Sequence, residues 1–462
     1  MIRVILPLLS TLEIVWSGKT PFAKCEVEDD KLTKGRKRHV VVVGGGILGT
    51  SAAYFLSRST NDAANFSHDG VASNLKVTLL EKEMSIASGA TGLSAGTLYS
   101  VGKPKLINSS DTAEYSILDI SSRFYKFIND FAEGGINYDM CGCLTLAFTE
   151  EESKYAKEMY DEEVNMIEDK NNLQWLASSD IEKILPGYMS GGNVKSAVFA
   201  RQGGQVNPKE ACHYLADIIK GKDNVDIHED CEVVSIVKTY NIEGKCVYKL
   251  STKDGTVFVA DQVILTTGAA VDKLLPENQK LGVIPVKGQM AVSDIDTDAD
   301  ADTNLKFPVV YYNESYFTWK DNTTEPPELT HVKGKRITRH AYGRKGLDGR
   351  YYFGGDRFLP RNDSDYEVNE KFLNELLDKK VYSIMPKLRH HFESPQSGSW
   401  AGLMPFSKDG APTIDKVDDD GLFVCSGFGG EGIMLGPGSA LFLASWIKTG
   451  IRPVELEAYA KR

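Results

Sequence analysis

The chain has 462 residues, 42% of them hydrophobic and 25% charged, which excludes wholesale disorder and leaves room for one to three domains. Its formal charge of −11 argues against broad nucleic-acid binding, which needs a basic surface. Seven scattered cysteines include no CxxC pair, only Cys141-Gly142-Cys143, so free thiols are expected rather than a structural metal site.

In chain order, the apolar stretch Val4–Trp16 is too short to span a bilayer and is interrupted by Glu13. It reads as a weak targeting segment, mitochondrial or secretory, although the acidic stretch Glu26–Asp30 fits a transit peptide poorly. Lys31–Arg38 reads as a solvated linker. The sequons at Asn65, Asn108, Asn313, Asn322 and Asn362 permit a secretory route.

The most informative stretch follows. Val40–Val43 reads as a buried strand that runs into Gly44-x-Gly46-x-x-Gly49 and then into a helix through Ala52–Leu56. Gly44 permits the tight turn, Gly46 lets backbone approach a pyrophosphate, and Gly49 allows close helix–strand packing. The helix N-terminus offers free N–H groups to phosphates. A second strand, Val77–Leu80, ends at Glu81, where ribose hydroxyls need an acceptor; a polar insertion, Asn61–Asn74, lengthens the interval. Together these predict a dinucleotide site.

Ser88–Thr97 is a run of small residues suited to lying against a flat ligand. Helices are expected over 113–131 and 150–169, with a strand at Gly142–Phe148 between them. Gln205–Lys220 reads as a helix entered through Asn207-Pro208. Strands are expected over Val225–Val237, Tyr248–Leu250, Val257–Val259 and Gln262–Ala270. Aromatic-rich alternation through 282–395 predicts a largely antiparallel sheet, with Asp294–Thr303 as a solvated acidic loop lacking the pattern of a calcium site. The strand Asp420–Ser426 leads into the glycine-rich turn Gly427–Gly438 and an amphipathic helix over Ser439–Lys448. That second helix N-terminus suits negative charge at the far end of the same cofactor.

Taken in this order, VVVGGGILGTSAA, LLEKE, GATGLSAGTL, CEVVSIV, QVILTTGAAVDKLL, PVKGQM, GLMPFSKDGAPTID and GFGGEGIMLGPG make the chain resemble the FAD-dependent oxidoreductase family of D-amino-acid oxidase, glycine oxidase and sarcosine oxidase or dehydrogenase, over about residues 39–458. The resemblance implies an α/β (α+β) fold: a Rossmann-like FAD-binding domain interleaved with a substrate domain carrying a mostly antiparallel sheet. It assigns 39–120, 200–281 and 396–462 to the FAD domain, 121–199 and 282–395 to the substrate domain, and leaves 1–38 as targeting and linker.

Carried over by position, the resemblance puts Ile47 and Leu48 with Gly44, Gly46 and Gly49 at the pyrophosphate, and Glu81 with Lys82 at the ribose. It puts Ala90, Thr91, Ala95, Gly96 and Thr97 along the flavin, Val233 at the adenine, and Gly430, Glu431, Gly432, Ile433 and Met434 at the pyrimidine edge. FAD is expected to be non-covalent, because Leu93 and Gly402 stand where relatives attach flavin through His or Cys. Two carboxylate-binding arginines of the family are replaced, by Met404 and Gly430, with Arg201, Arg344 and Arg357 as possible substitutes. Loss of that clamp favours a secondary or modified amine over free glycine or a D-amino acid.

The implied reaction is oxidation of a C–N bond by hydride transfer to flavin N5, and no catalytic residue is singled out. Tyr311, Tyr312, Tyr316 and Tyr351 are either pocket residues or ordinary sheet aromatics; Glu431 either binds an ammonium group or is solvated; His213 is structural. The expected partners are a small amine or amino-acid-like substrate and dioxygen, a quinone or an electron-transfer protein as acceptor, with no nucleic acid. A flavoprotein scaffold or assembly factor with little turnover is the alternative. A pure NAD enzyme is disfavoured, since it gives the C-terminal glycine turn no purpose.

Overall fold

Consecutive valines leave no polar face, so the strand Arg38–Val43 has to be covered on both sides, and Val40–Val43 are at most 4% exposed. The computed structural model describes residues 37–59, 66, 72–98, 111–133, 135–165, 167, 169–185, 188, 193–295, 306–313, 336–338, 340–392 and 398–461. The segment Val4–Trp16, Tyr316 and most of the insertion Asn61–Asn74 and of the acidic loop lie outside them.

Arg38–Val43 sits near the middle of a six-stranded sheet, between Leu75–Leu80 and Gln262–Leu265. Val225–His228 and Leu422–Ser426 continue it in parallel, and Thr413–Lys416 adds an antiparallel edge. The helices Ile47–Leu56, Pro208–Lys220, Asp111–Phe131 and Gly432–Thr449 pack around one another beside it. Asn207 caps Pro208–Lys220 through the Lys209 and Glu210 N–H groups, as the Asn-Pro entry predicts.

The C-terminal helix differs from its reading. It begins at Gly432 rather than Ser439, and Ile433–Lys448 are all buried, so it is surrounded rather than amphipathic. Pro437 lies inside it and has no N–H for the Ile433 carbonyl; the Tyr125 hydroxyl donates to that oxygen instead, at 2.8 Å. At the other end Lys448 Nζ donates to Phe55 O at 2.7 Å, placing a cation on the C-terminus of Ile47–Leu56.

The stretch read as strand from Val225 to Val237 is two strands in two sheets. Asp230, at φ +52°, turns the chain, and Val233–Tyr240 joins Cys246–Thr252 and Val257–Ala260 in a three-stranded antiparallel meander.

The second large sheet runs in the order Trp400–Phe406, Ile284–Ile295, Arg350–Phe358, His340–Lys345, Val309–Asn313, Cys143–Ala147, Ser196–Ala200, Leu173–Ala177. Every pair is antiparallel except Val309–Asn313 with Cys143–Ala147, as the alternation through 282–395 predicts. The reading missed the helical run from Glu370 to Phe392, whose Leu373, Leu376, Leu377, Val381 and Ile384 pack on Tyr351 and Phe353. Residue 120 lies inside the helix Asp111–Phe131, and Trp400–Phe406 belongs to the antiparallel sheet.

Candidate functional site

The turn after Arg38–Val43 is shaped by what it excludes. Gly44, at φ +108°, would place a Cβ 2.6 Å from Thr266 O, and Gly49 would place one 1.8 Å from Gly44 O. The first helix can therefore start directly against the strand tips. Its N-cap, Gly46, supplies no side chain, and the Ile47 N–H points to Thr91 Oγ1 at 3.1 Å. Glu81, 7% exposed, accepts from the Gly45 N–H at 2.7 Å and the Glu83 N–H at 2.9 Å. Burial pushes its pKa up, and those two N–H groups pull in the other direction.

A cavity of about 1170 Å³ opens at this turn and runs between the two large sheets. That exceeds the ~300–1,000 Å³ usual for a small ligand and suits an extended dinucleotide with a second molecule at one end. Its nucleotide side is lined by Gly44, Gly46, Ile47, Leu48, Glu81 and Lys82, with Val233 from the meander. Ala90, Thr91, Ala95, Gly96 and Thr97 line it too, as do Gly430, Glu431, Gly432 and Ile433. Sequence reasoning thus assembled one continuous surface from segments almost 400 residues apart. Two expected residues are not on it. Gly49 acts through packing, and Met434 is carried by the helix into the core, 4% exposed.

The residues fit a bound dinucleotide. Two helices direct N-termini without side-chain caps at the cavity, at Gly46 and Glu431. The buried Thr267 Oγ1, also in the lining, has no hydrogen-bond partner among the described residues. Arg344 braces the small-residue run from behind: its Nε donates to Ala95 O at 2.7 Å and its Nη1 to Gln205 Oε1 at 2.6 Å. Burial pulls the Arg344 pKa down, and the guanidinium carbon lies 4.3 Å from the Tyr352 ring centroid.

The antiparallel sheet closes the other side. Tyr311 lines the cavity, shares a 3.1 Å hydrogen bond with Thr97 Oγ1 and stacks on Tyr342 at 5.4 Å. Tyr342, Trp400 and Phe406 were missed, since an aromatic in an alternating strand gives no sign of which face it serves. Tyr312 and Tyr351 do not line the cavity; Tyr312 packs on Phe148, and Tyr351 hydrogen-bonds Tyr188 at 2.9 Å. His213 lies 3.3 Å from Ser85 Oγ.

Of the three candidate arginines, Arg357 alone enters the lining among the described residues. Its guanidinium lies 4.9 Å from the Phe406 ring centroid, and Nη2 is 3.2 Å from where a Cβ on Gly430 would stand. Arg344 is the brace described above, and Arg201 is exposed. Met404 places its Cε 2.9 Å from a Cβ position on Gly288, which lies opposite both Arg357 and Gly402 in the sheet. Gly402 would place a Cβ 2.8 Å from that of Leu93.

The chain matches the FAD-dependent oxidoreductase family across residues 39–446. It is 23% identical to a putative oxidoreductase of Schizosaccharomyces pombe and 24% identical to the glycine oxidase of Bacillus licheniformis, each alignment covering 89% of this chain and 94% of the relative. The crystal structure of glycine oxidase from Geobacillus kaustophilus superposes with a TM-score of 0.70 at 20% identity, covering 92% of this chain and 99% of that one.

Proposed function

This chain belongs to the FAD-dependent oxidoreductase family, and we propose that it oxidises the C–N bond of a small carboxylate-bearing amine whose carboxylate is held by Arg357. FAD supplies the hydride-accepting chemistry, so the protein has to bind, orient and exclude water. The observation that carries the reading is the Arg357 guanidinium in the cavity wall, beside the N-terminus of Gly432–Thr449, where both favour an anion. The likeness to glycine oxidases, named for a substrate that is both amine and carboxylate, agrees with it.

The missing arginines at 404 and 430 therefore do not leave the cavity without a cation. Arg357 supplies one from the neighbouring strand, and Met404 supplies an apolar surface in place of the other. A substrate with its carboxylate at Arg357 and a substituent on nitrogen against Met404 uses both, which favours an N-alkyl amino acid over glycine. Leu93 and Gly402 meet across the lining and offer no nucleophile, which supports a non-covalent flavin. Dioxygen, a quinone or an electron-transfer protein would serve as the electron acceptor.

Anaerobic mixing of the yellow protein with a panel of amines tests this. Bleaching by N-alkyl amino acids, faster than by glycine, is expected. Colour unchanged by the whole panel favours a scaffold role instead.

A further inference from the structure

The strand that carries Arg357 continues into the segment Leu359–Asn369. Asp363, Ser364 and Tyr366 of this segment are exposed and yet line the cavity, which puts them at its rim together with Lys82 and Lys273. The two halves of the segment are held very differently.

The second half is fixed. The Asp365 side chain is 1% exposed and accepts from Lys287 Nζ at 3.0 Å, Arg361 Nη2 at 2.9 Å and the Arg361 N–H at 2.9 Å. Lys287 Nζ donates again to Glu367 O at 3.2 Å. Gln289 and Asn369 exchange two hydrogen bonds, at 2.8 and 3.3 Å. A buried charge matched by several partners cannot leave without exposing the others to an unpaired interior. Lys287 and Gln289 belong to the strand Ile284–Ile295, so this half moves only with the sheet.

Apart from the Arg361 contacts to Asp365, the first half is held across the cavity rim by Lys273 and Asp363, 2.8 Å apart, with side chains 63% and 64% exposed. An exposed pair of this kind is weak and is screened by salt. Tyr366 and Lys82 both line the cavity from exposed positions on its rim. Lys82 adjoins Glu81, the expected ribose acceptor, so the rim that the segment shares includes the adenosine side of the cavity.

We propose that Leu359–Asn369 is a strap that retains FAD, anchored at Asp365 and latched across the cavity rim by Asp363 and Lys273. The proposal rests on the family's cofactor occupying the cavity and is independent of the substrate. A firm anchor with a weak latch lets the cofactor enter and slows its escape, because the latch has to open before the cofactor can leave.

The test is the rate at which FAD leaves the holoprotein on dilution at low ionic strength, followed by the rise of flavin fluorescence. Lys273→Asp and Asp363→Lys each speed release by up to about fivefold, the most an exposed ion pair supplies, and the double exchange restores the original rate. Added salt speeds release from the unaltered protein and not from Asp363→Ala. If Lys273 only attracts the phosphates, Asp363→Lys slows release; that result, or no change, overturns the strap. Protein that purifies without flavin overturns the cofactor assignment instead, so the two failures are distinct.

Discussion

Arg357 lies on a strand of the antiparallel sheet and Gly430 in the turn before the C-terminal helix, yet the Arg357 Nη2 lies 3.2 Å from the point where a Gly430 side chain would begin. Any larger residue at 430 would compete with the guanidinium for that space. The glycine and the arginine are thus one arrangement: the turn gives up a side chain and the adjacent strand fills the place with a cation. Phe406 supports the guanidinium from one side, at 4.9 Å.

Arg357→Met should raise KM for a carboxylate-bearing amine by roughly ten- to a hundredfold, the equivalent of ~1.5–3 kcal/mol for a hydrogen bond to a charged group. The change in kcat should be smaller. Steady-state kinetics on the variant check this, and an unaltered KM would place the carboxylate elsewhere.

Gly46→Val and Gly49→Ala should fail in different ways. A Cβ at residue 46 meets only Thr91 Oγ1 at 2.9 Å, so the variant should fold, but with a side chain where the pyrophosphate has to lie and without yellow colour. A Cβ at residue 49 meets Gly44 O at 1.8 Å, a backbone clash that should cost at least ~1–3 kcal/mol of stability. Flavin absorbance and thermal unfolding of the flavin-free proteins separate the two.

The nucleotide half of this site was legible because its physical demands fix residue types at fixed spacings. Val40–Val43, Gly44, Gly46, Gly49 and Glu81 each answer a requirement of turn, backbone approach or hydroxyl acceptor, and they lie close together in sequence. The second helix N-terminus was legible through Gly429–Gly432, although the start of that helix was not, because Gly436, Pro437 and Gly438 are all poor helix-interior residues. The substrate side was opaque for a different reason. Tyr311 and Tyr312 are adjacent and chemically identical, and only strand register assigns the first to the cavity and the second to Phe148. Arg344 and Arg357 show the same limit: one braces a loop, the other faces the cavity, and no local signal tells them apart.

The anchor at Asp365 makes a prediction about acid. Its Arg361 contact comes first and the nearby Lys287 adds to it, and together they hold the carboxyl below the ordinary aspartate value of ~3.9 despite its burial. A carboxyl with a depressed folded-state pKa contributes stability above its unfolded pKa, and that contribution is lost as pH falls through the folded value. Asp365→Ala should therefore destabilise the protein by ~3–5 kcal/mol at neutral pH, since it leaves Lys287 buried without its carboxylate partner. The difference from the unaltered protein should shrink steadily below about pH 4. Denaturant unfolding at several pH values measures it, and a difference that grows in acid would contradict the assignment.

The most direct test of the proposed chemistry is anaerobic stopped-flow reduction of the bound flavin by N-methylglycine and by dimethylamine, its counterpart without the carboxylate. N-methylglycine should bleach the flavin far faster at equal concentration, and Arg357→Met should remove most of that advantage. Equal rates with both amines, or a flavin that neither reduces, would contradict oxidation of a carboxylate-bearing amine at this site.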